Sequence, residues 1–171
     1  MERAGLITFK GNPLTLVGPE LKPGDAAPDF TAVDGDLNLV RLSDYRGQIV
    51  IISAVPSLDT PVCEAQTRRF NEEAARLGAA ILTINMDLPF AQKRFCTTHG
   101  IENLKVVSDH REREFAREYG LLIKELKLLA RAVLILDREG NIAYLQIVRE
   151  VASQPDYEAV IAAAKGLGSI P

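Results

Sequence analysis

Gln48-Ile49-Val50-Ile51-Ile52-Ser53-Ala54-Val55-Pro56-Ser57-Leu58-Asp59-Thr60-Pro61-Val62-Cys63 decides how this chain is read. Residues 49–55 are β-branched and apolar almost throughout, the composition of a buried central strand. From Cys63 to Leu77 the residues are rich in Glu, Ala, Arg, Gln and Leu and stop at Gly78, which predicts a helix with a glycine cap. One of only two cysteines therefore stands where a strand gives way to a helix. In a first helical turn a thiol faces unpartnered backbone N–H groups and the positive end of the helix dipole. Both favour thiolate over thiol.

The alternation continues downstream with a strand over 79–85, a helix over Pro89–His99, a strand over 105–108 and a helix over 111–119. A strand pair over 132–136 and 142–147 follows across Arg138-Glu139-Gly140-Asn141, and a last helix covers 156–165. Upstream, 7–9 and 14–17 flank Gly11-Asn12-Pro13 and read as an N-terminal β-hairpin. Pro23-Gly24 and Pro28-Asp29 mark a loop into the core, and a short strand is expected within 37–42. Strand–helix–strand units followed by a hairpin and a closing helix predict an α/β class with a mixed central sheet flanked by helices. A thioredoxin-like fold fits this order best, with the N-terminal hairpin as an addition. No linker, repeat or low-complexity segment interrupts the chain, so 1–171 is expected to form one domain, about 1–18 being the hairpin extension.

Composition bounds the function. A chain of 171 residues is large enough to bury roughly two thirds of its unfolded surface. The net charge of −3 gives no reason to expect nucleic acid or an anionic membrane surface as partner. No apolar run approaches the ~20 residues of a membrane helix. The start, Met1-Glu2-Arg3-Ala4-Gly5-Leu6, lacks a basic region followed by an apolar core, so no secretory signal is expected and the cytoplasm is the default location. In a reducing compartment two cysteines point away from a permanent structural disulfide and toward a transient catalytic one.

An isolated cysteine is most often a small buried hydrophobe. The residues around Cys63 argue for chemistry. Thr60 lies three residues upstream, where its hydroxyl can turn toward the sulfur or toward a bound oxygen; its ordinary alternative is a helix cap. Pro56 and Pro61 remove two backbone donors and stiffen the loop, as a shielded pocket requires, although prolines before helices also serve as punctuation. Together they make P-x-x-x-T-x-x-C between a strand and a helix, a specific combination. On this motif, its continuation Gln66-Thr67-Arg68-Arg69-Phe70, the early Phe9-Lys10-Gly11-Asn12-Pro13-Leu14, Arg94-Phe95-Cys96, Arg131-Ala132-Val133 and Pro155-Asp156-Tyr157, the chain resembles the peroxiredoxins. More narrowly it resembles the thiol peroxidase subfamily of atypical 2-Cys peroxiredoxins, from about residue 5 to about residue 168.

The resemblance implies a thioredoxin-like fold and thiol-dependent reduction of hydrogen peroxide and alkyl hydroperoxides. It assigns Cys63 as the peroxidatic cysteine, Cys96 as the resolving one and Arg131 as the active-site cation, with Thr60 and the Cys63 N–H orienting the peroxide. It also implies thioredoxin as electron donor and a homodimer. No haem, flavin or metal is called for, because the cysteine pair carries both electrons. From the residues alone, Cys96 reads equally as a core thiol on a helix whose packed face shows Phe90, Arg94 and Phe95, and Arg131 as a solvated strand-end charge. Cys96-x-x-His99 has the spacing of half a zinc site without a second pair to complete it. His110 has no companion, and Glu64 reads as a first-turn carboxylate favoured by the helix dipole. The run Arg111-Glu112-Arg113-Glu114 reads as a solvated helix face, and Tyr157 as packing for the last helix. The rival reading is a non-catalytic thiol redox sensor or holdase. A thioredoxin-type oxidoreductase is disfavoured because 32 residues separate the cysteines, leaving no C-x-x-C.

Overall fold

A seven-stranded mixed sheet organises the computed structural model, which describes residues 1–167. Residues 168–171 lie outside the described residues. In chain order the strands are β1 (Glu2–Phe9), β2 (Asn12–Val17), β3 (Thr31–Asp34), β4 (Leu39–Arg41), β5 (Val50–Ala54), β6 (Ala80–Asn85), β7 (Lys105–Ser108), β8 (Leu122–Ile123), β9 (Ala132–Leu136) and β10 (Ile142–Ile147). The helices are α1 (Pro61–Leu77), α2 (Pro89–His99), α3 (Glu114–Glu118) and α4 (Tyr157–Gly166). The large sheet runs β10-β9-β5-β6-β7-β3-β4, and β1, β2 and β8 form a separate three-stranded sheet. β5, β6 and β7 pair in parallel, while β9, β10, β3 and β4 join antiparallel. This is the mixed α/β sheet, with an added N-terminal hairpin, that the sequence predicts.

The central place of β5 explains its composition. All five of its residues are buried, because β6 and β9 flank its edges and side chains cover both faces. Alternation sorts those side chains. Ile52 and Ala54, with Leu82, Ile84, Leu134 and Leu136, share a core with Ile7, Leu16 and Phe115. Ile51, Ile81, Val133 and Ile135 meet Phe70, Ala74 and Leu77 of α1 and Val160 and Ala164 of α4. Ser53 falls on the α1 side of the sheet, a hydroxyl among aliphatic side chains.

Three boundaries differ from expectation for local reasons. α1 begins at Pro61 rather than Cys63, since proline suits the first helical position, where its missing N–H has no acceptor anyway. α3 begins at Glu114 rather than 111. Arg113 takes a left-handed backbone (φ 55°), and the Asp109 carboxyl accepts the Phe115 and Ala116 amides at 3.1 and 2.9 Å. Of the strand expected within 37–42 only β4 forms, because Leu37 turns at φ 66° and Asp34 Oδ1 collects the Asp36 and Asn38 amides. β3 and β8, of four and two residues, carry no period of their own and went unread.

Polar ties hold the hairpin to the rest. Arg3 donates to the carbonyls of Gly18 and Gly120 at 3.2 and 2.5 Å. Gly120 (φ +63°) approaches Pro19 so closely that a Cβ would lie 1.9 Å from its carbonyl oxygen, and only glycine fits. At the turn, Glu150 Oε1 accepts from the Gly11 amide at 2.9 Å and the Thr8 hydroxyl at 3.1 Å. Its other oxygen accepts the Ala152 amide at 2.8 Å. The Ala152 and Gly11 amides hold the Glu150 carboxyl down to about 2.

Candidate active site

The end of β5, the residue before β9 and the first turn of α1 converge on one buried point. Thr60, in extended backbone, takes the N-cap position, and its carbonyl accepts the Glu64 amide at 2.9 Å. Cys63 then falls in the first turn, among N–H groups that have no intrahelical acceptor. It is 0% exposed and packs with Val55, Leu58, Ile101 and Val106, and Phe95 and Cys96 border the same cluster. The two thiols are both free.

Arg131 immediately precedes β9, on the side shared by Val133 and Ile135, which is the α1 side. Only 2% of it is exposed. Its Nε donates to the Val151 carbonyl at 2.9 Å, Nη1 to Gln66 Oε1 at 3.0 Å and Nη2 to Cys63 Sγ at 3.2 Å. Gln66, one turn beyond Cys63, donates in turn to Ser53 Oγ at 2.7 Å, which gives the buried strand hydroxyl its partner. Thr67 closes the ring of contacts by donating to the Cys63 carbonyl at 2.9 Å. Among the described residues no carboxylate lies within ion-pair distance of Arg131. A buried guanidinium facing only neutral acceptors is costly. Of its three acceptors the Cys63 sulfur alone is able to take a full negative charge, so the site is complementary to a thiolate and to charge leaving that sulfur. The solvated strand-end reading of Arg131 is excluded by its burial.

The other expected residues lie around this pair. Pro56 is buried at the start of the loop. The Thr60 hydroxyl is exposed and donates to the Ser57 carbonyl at 3.0 Å, so it is turned along the loop and makes no side-chain cap bond. Cys96 is half-buried, and burial pushes its thiol up from the ordinary value. The Cys63 sulfur, in contrast, is faced by the Arg131 guanidinium.

The structure bears out only part of the expected packed face of α2: Phe95 packs against the Cys63 cluster, and the other two residues do not pack. Phe90 is 67% exposed and Arg94 is exposed; the residue α2 buries is Gln92. The helix lies over β7, and Gln92 Nε2 reaches Asn85 Oδ1 at 2.8 Å and the Val107 carbonyl at 2.9 Å. Phe95 stacks on His99 with ring centres 4.5 Å apart, and His99 Nδ1 lies 3.2 Å from Glu64 Oε1, beside Cys63 in sequence. Gln66 and Ser53 received no role from sequence; the readable signals were a serine inside an apolar strand and a glutamine one helical turn from the cysteine. Among the described residues no helix is long and apolar enough to cross a membrane.

Comparison with known proteins gives this geometry a setting. The Redoxin family model matches residues 22–161. The chain is 54% identical over 160 residues to the thiol peroxidase of Halalkalibacterium halodurans, covering 93% of this chain and 96% of that one. It is 53% identical over 162 residues to the thiol peroxidase of Bacillus subtilis, with 94% and 97% covered. A crystal structure of a peroxiredoxin-like protein from Aquifex aeolicus matches with a TM-score of 0.90 and 46% identity over 96% of this chain and 98% of that chain. The chain therefore belongs to the Redoxin family, as a thiol peroxidase of the peroxiredoxin type.

Proposed function

We propose that Cys63 is the peroxidatic thiol of this peroxidase and Cys96 its resolving partner. The observation that carries the assignment is the buried Arg131 guanidinium, 3.2 Å from the Cys63 sulfur and without a carboxylate partner among the described residues. In the first step the Cys63 sulfur attacks one peroxide oxygen. An S–O bond forms, the O–O bond breaks, and the second oxygen leaves as water or an alcohol after taking a proton. Arg131, the Cys63 N–H and the Thr60 hydroxyl oxygen orient the peroxide and meet the charge as it moves to the leaving oxygen. Pro56 holds the start of the loop that shields the site.

In the second step the Cys96 sulfur attacks the sulfenic acid on Cys63, forming an S–S bond and releasing water. Thioredoxin then supplies the two electrons and two protons that restore both thiols. The cysteine pair carries both electrons, so the cycle calls for no haem, flavin or metal. Such a cycle needs a reducing compartment, which supports a cytoplasmic location. A homodimer is supported by exposed Leu37 and Phe90, which with half-buried Pro89 line a cavity of about 440 Å³. Residues 1–171 act as a single domain in this reading, with 1–18 as the hairpin extension.

Steady-state consumption of peroxide with thioredoxin, thioredoxin reductase and NADPH tests the proposal. The native protein turns over many equivalents, and Cys63→Ser turns over none. Substantial turnover by Cys63→Ser overturns the assignment, whereas a native protein that stops after one equivalent is a sensor rather than a thioredoxin-linked enzyme.

A further inference from the structure

Asp87 lies between β6 and α2, nine residues ahead of Cys96, and every polar group it owns is engaged. Its carboxyl Oδ1 accepts the Ser57 hydroxyl at 2.8 Å, and Oδ2 accepts the Leu58 amide at 2.7 Å. Its own amide donates to Asn85 Oδ1 at 2.9 Å, and its carbonyl accepts the Ser108 hydroxyl at 2.5 Å. Ser57 and Leu58 belong to the loop between Pro56 and Cys63, and Leu58 packs directly in the Cys63 cluster. The carboxylate thus fastens the peroxidatic loop to the start of the helix that carries Cys96. At the far end of α2 the His99–Glu64 contact makes a second tie to α1.

What lies beneath α2 shows why this fastening matters. The helix buries Gln92 rather than an apolar residue. Gln92 Oε1 and Asn85 Nδ2, both buried, have no hydrogen-bond partner among the described residues. Leu88 and Phe90 are exposed, and the apolar hold of the helix is limited to half-buried Phe95 and Cys96, which border the Cys63 cluster. An element seated on under-satisfied polar groups, with little apolar burial, opens at low cost. Disulfide formation requires such an opening, because the two cysteines must bring their α-carbons within about 7 Å of each other and the Cys63 sulfur is wholly enclosed. Charge-assisted bonds from a carboxylate to the loop oppose it.

We propose that Asp87 is a positioning residue that latches the peroxidatic loop to the resolving helix and thereby sets the fate of the Cys63 sulfenic acid. Capture by Cys96 forms the S–S bond and releases water. The competing fate is reaction with a second peroxide molecule, in which the sulfenic sulfur gains an oxygen to become sulfinic acid and the peroxide is reduced to water or alcohol. A tight latch prolongs the sulfenic acid and favours the second fate; a loose one favours capture. The inference rests on the Cys63–Cys96 assignment above.

Rapid quench of peroxide-treated enzyme with a thiol-alkylating reagent, followed by intact mass measurement, separates sulfenic acid, disulfide and sulfinic acid over time. In Asp87→Asn, sulfenic acid converts to disulfide at least threefold faster than in the native chain, and sulfinic acid at a fixed high peroxide concentration falls several-fold. The Leu58 amide exchanges its hydrogen about tenfold faster in the reduced variant. A merely structural role would slow every step together. Ser57→Ala, which removes one arm of the latch, shifts the partition in the same direction by less, and it carries the test should Asp87→Asn fail to fold. Unchanged or slower disulfide formation in a folded variant overturns the latch. Absence of any intramolecular disulfide in the native chain overturns the cysteine assignment instead.

Discussion

Arg131 turns its donors on three acceptors of different kinds: a backbone carbonyl, a side-chain amide oxygen and a sulfur. The first two fix the guanidinium in place, and the third receives what the fixed charge does. Arg131→Met removes the cation and keeps the bulk, so peroxide reduction should fall about 100-fold or more, in line with loss of a preorganised charge-stabilising donor. Arg131→Lys should recover little, because a single ammonium does not reach three acceptors in a planar fork. Gln66→Met leaves the cation but frees one of its anchors, and a smaller loss of about tenfold is expected. Second-order rate constants from stopped-flow peroxide oxidation check all three, and equal rates for native and Arg131→Met proteins would remove Arg131 from the mechanism. Sequence spacing placed Cys63 at a strand-to-helix junction without help. It could not place Arg131, because the two lie 68 positions apart in the chain and only the β5–β9 register brings them together.

α1 and α2 were legible to different depths, and packing explains the difference. α1 carries an apolar stripe, including Phe70, Ala74 and Leu77, that must be buried against the sheet, so its length and buried face follow from composition. α2 was bounded correctly by Pro89 and Gly100, yet its buried face was legible only at Phe95, since its fully buried residue is polar and its Phe90 is exposed. β3 and β8 were missed because two to four residues show no period. The weak seating of α2 carries its own expectation. In Cys96→Ser the protein should consume about one equivalent of peroxide, gain oxygen on Cys63 by mass and then over-oxidise rather than cycle. Native protein treated with peroxide should run as a monomer on a non-reducing denaturing gel, since Cys96 borders the same cluster as Cys63 of its own chain. A covalent dimer that disappears in Cys96→Ser would place the resolving thiol in a partner chain.

Across the whole molecule two carboxyls give stability opposite dependences on pH. Glu150 is held down to about 2 by the Ala152 and Gly11 amides, so its contribution is complete above the ordinary carboxylate range and is lost as pH falls from about 4.5 toward 2. Asp109 is pushed up to about 6, chiefly by burial, so the folded chain holds its proton more tightly than the unfolded one. Stability should therefore decline as pH rises from about 4 to 6, by at most about 3 kcal/mol from this group. Thermal midpoints across pH 2–7 should show the acid limb flattened in Glu150→Gln and the decline between 4 and 6 abolished in Asp109→Asn, even though each variant is weaker overall. A wild-type-like profile in either variant would remove that carboxyl as the cause. The enclosed guanidinium has a further consequence, in the currency of reduction potential. Closing a disulfide ordinarily staples a fold, by about 3–4 kcal/mol for a loop of this length. Here it also withdraws from Arg131 the one acceptor among the described residues that can carry a balancing charge, a loss of comparable or greater size when the cation stays buried. The oxidised protein should melt below the reduced one, and that gap is a driving force for re-reduction: the enzyme is built to hand its disulfide on.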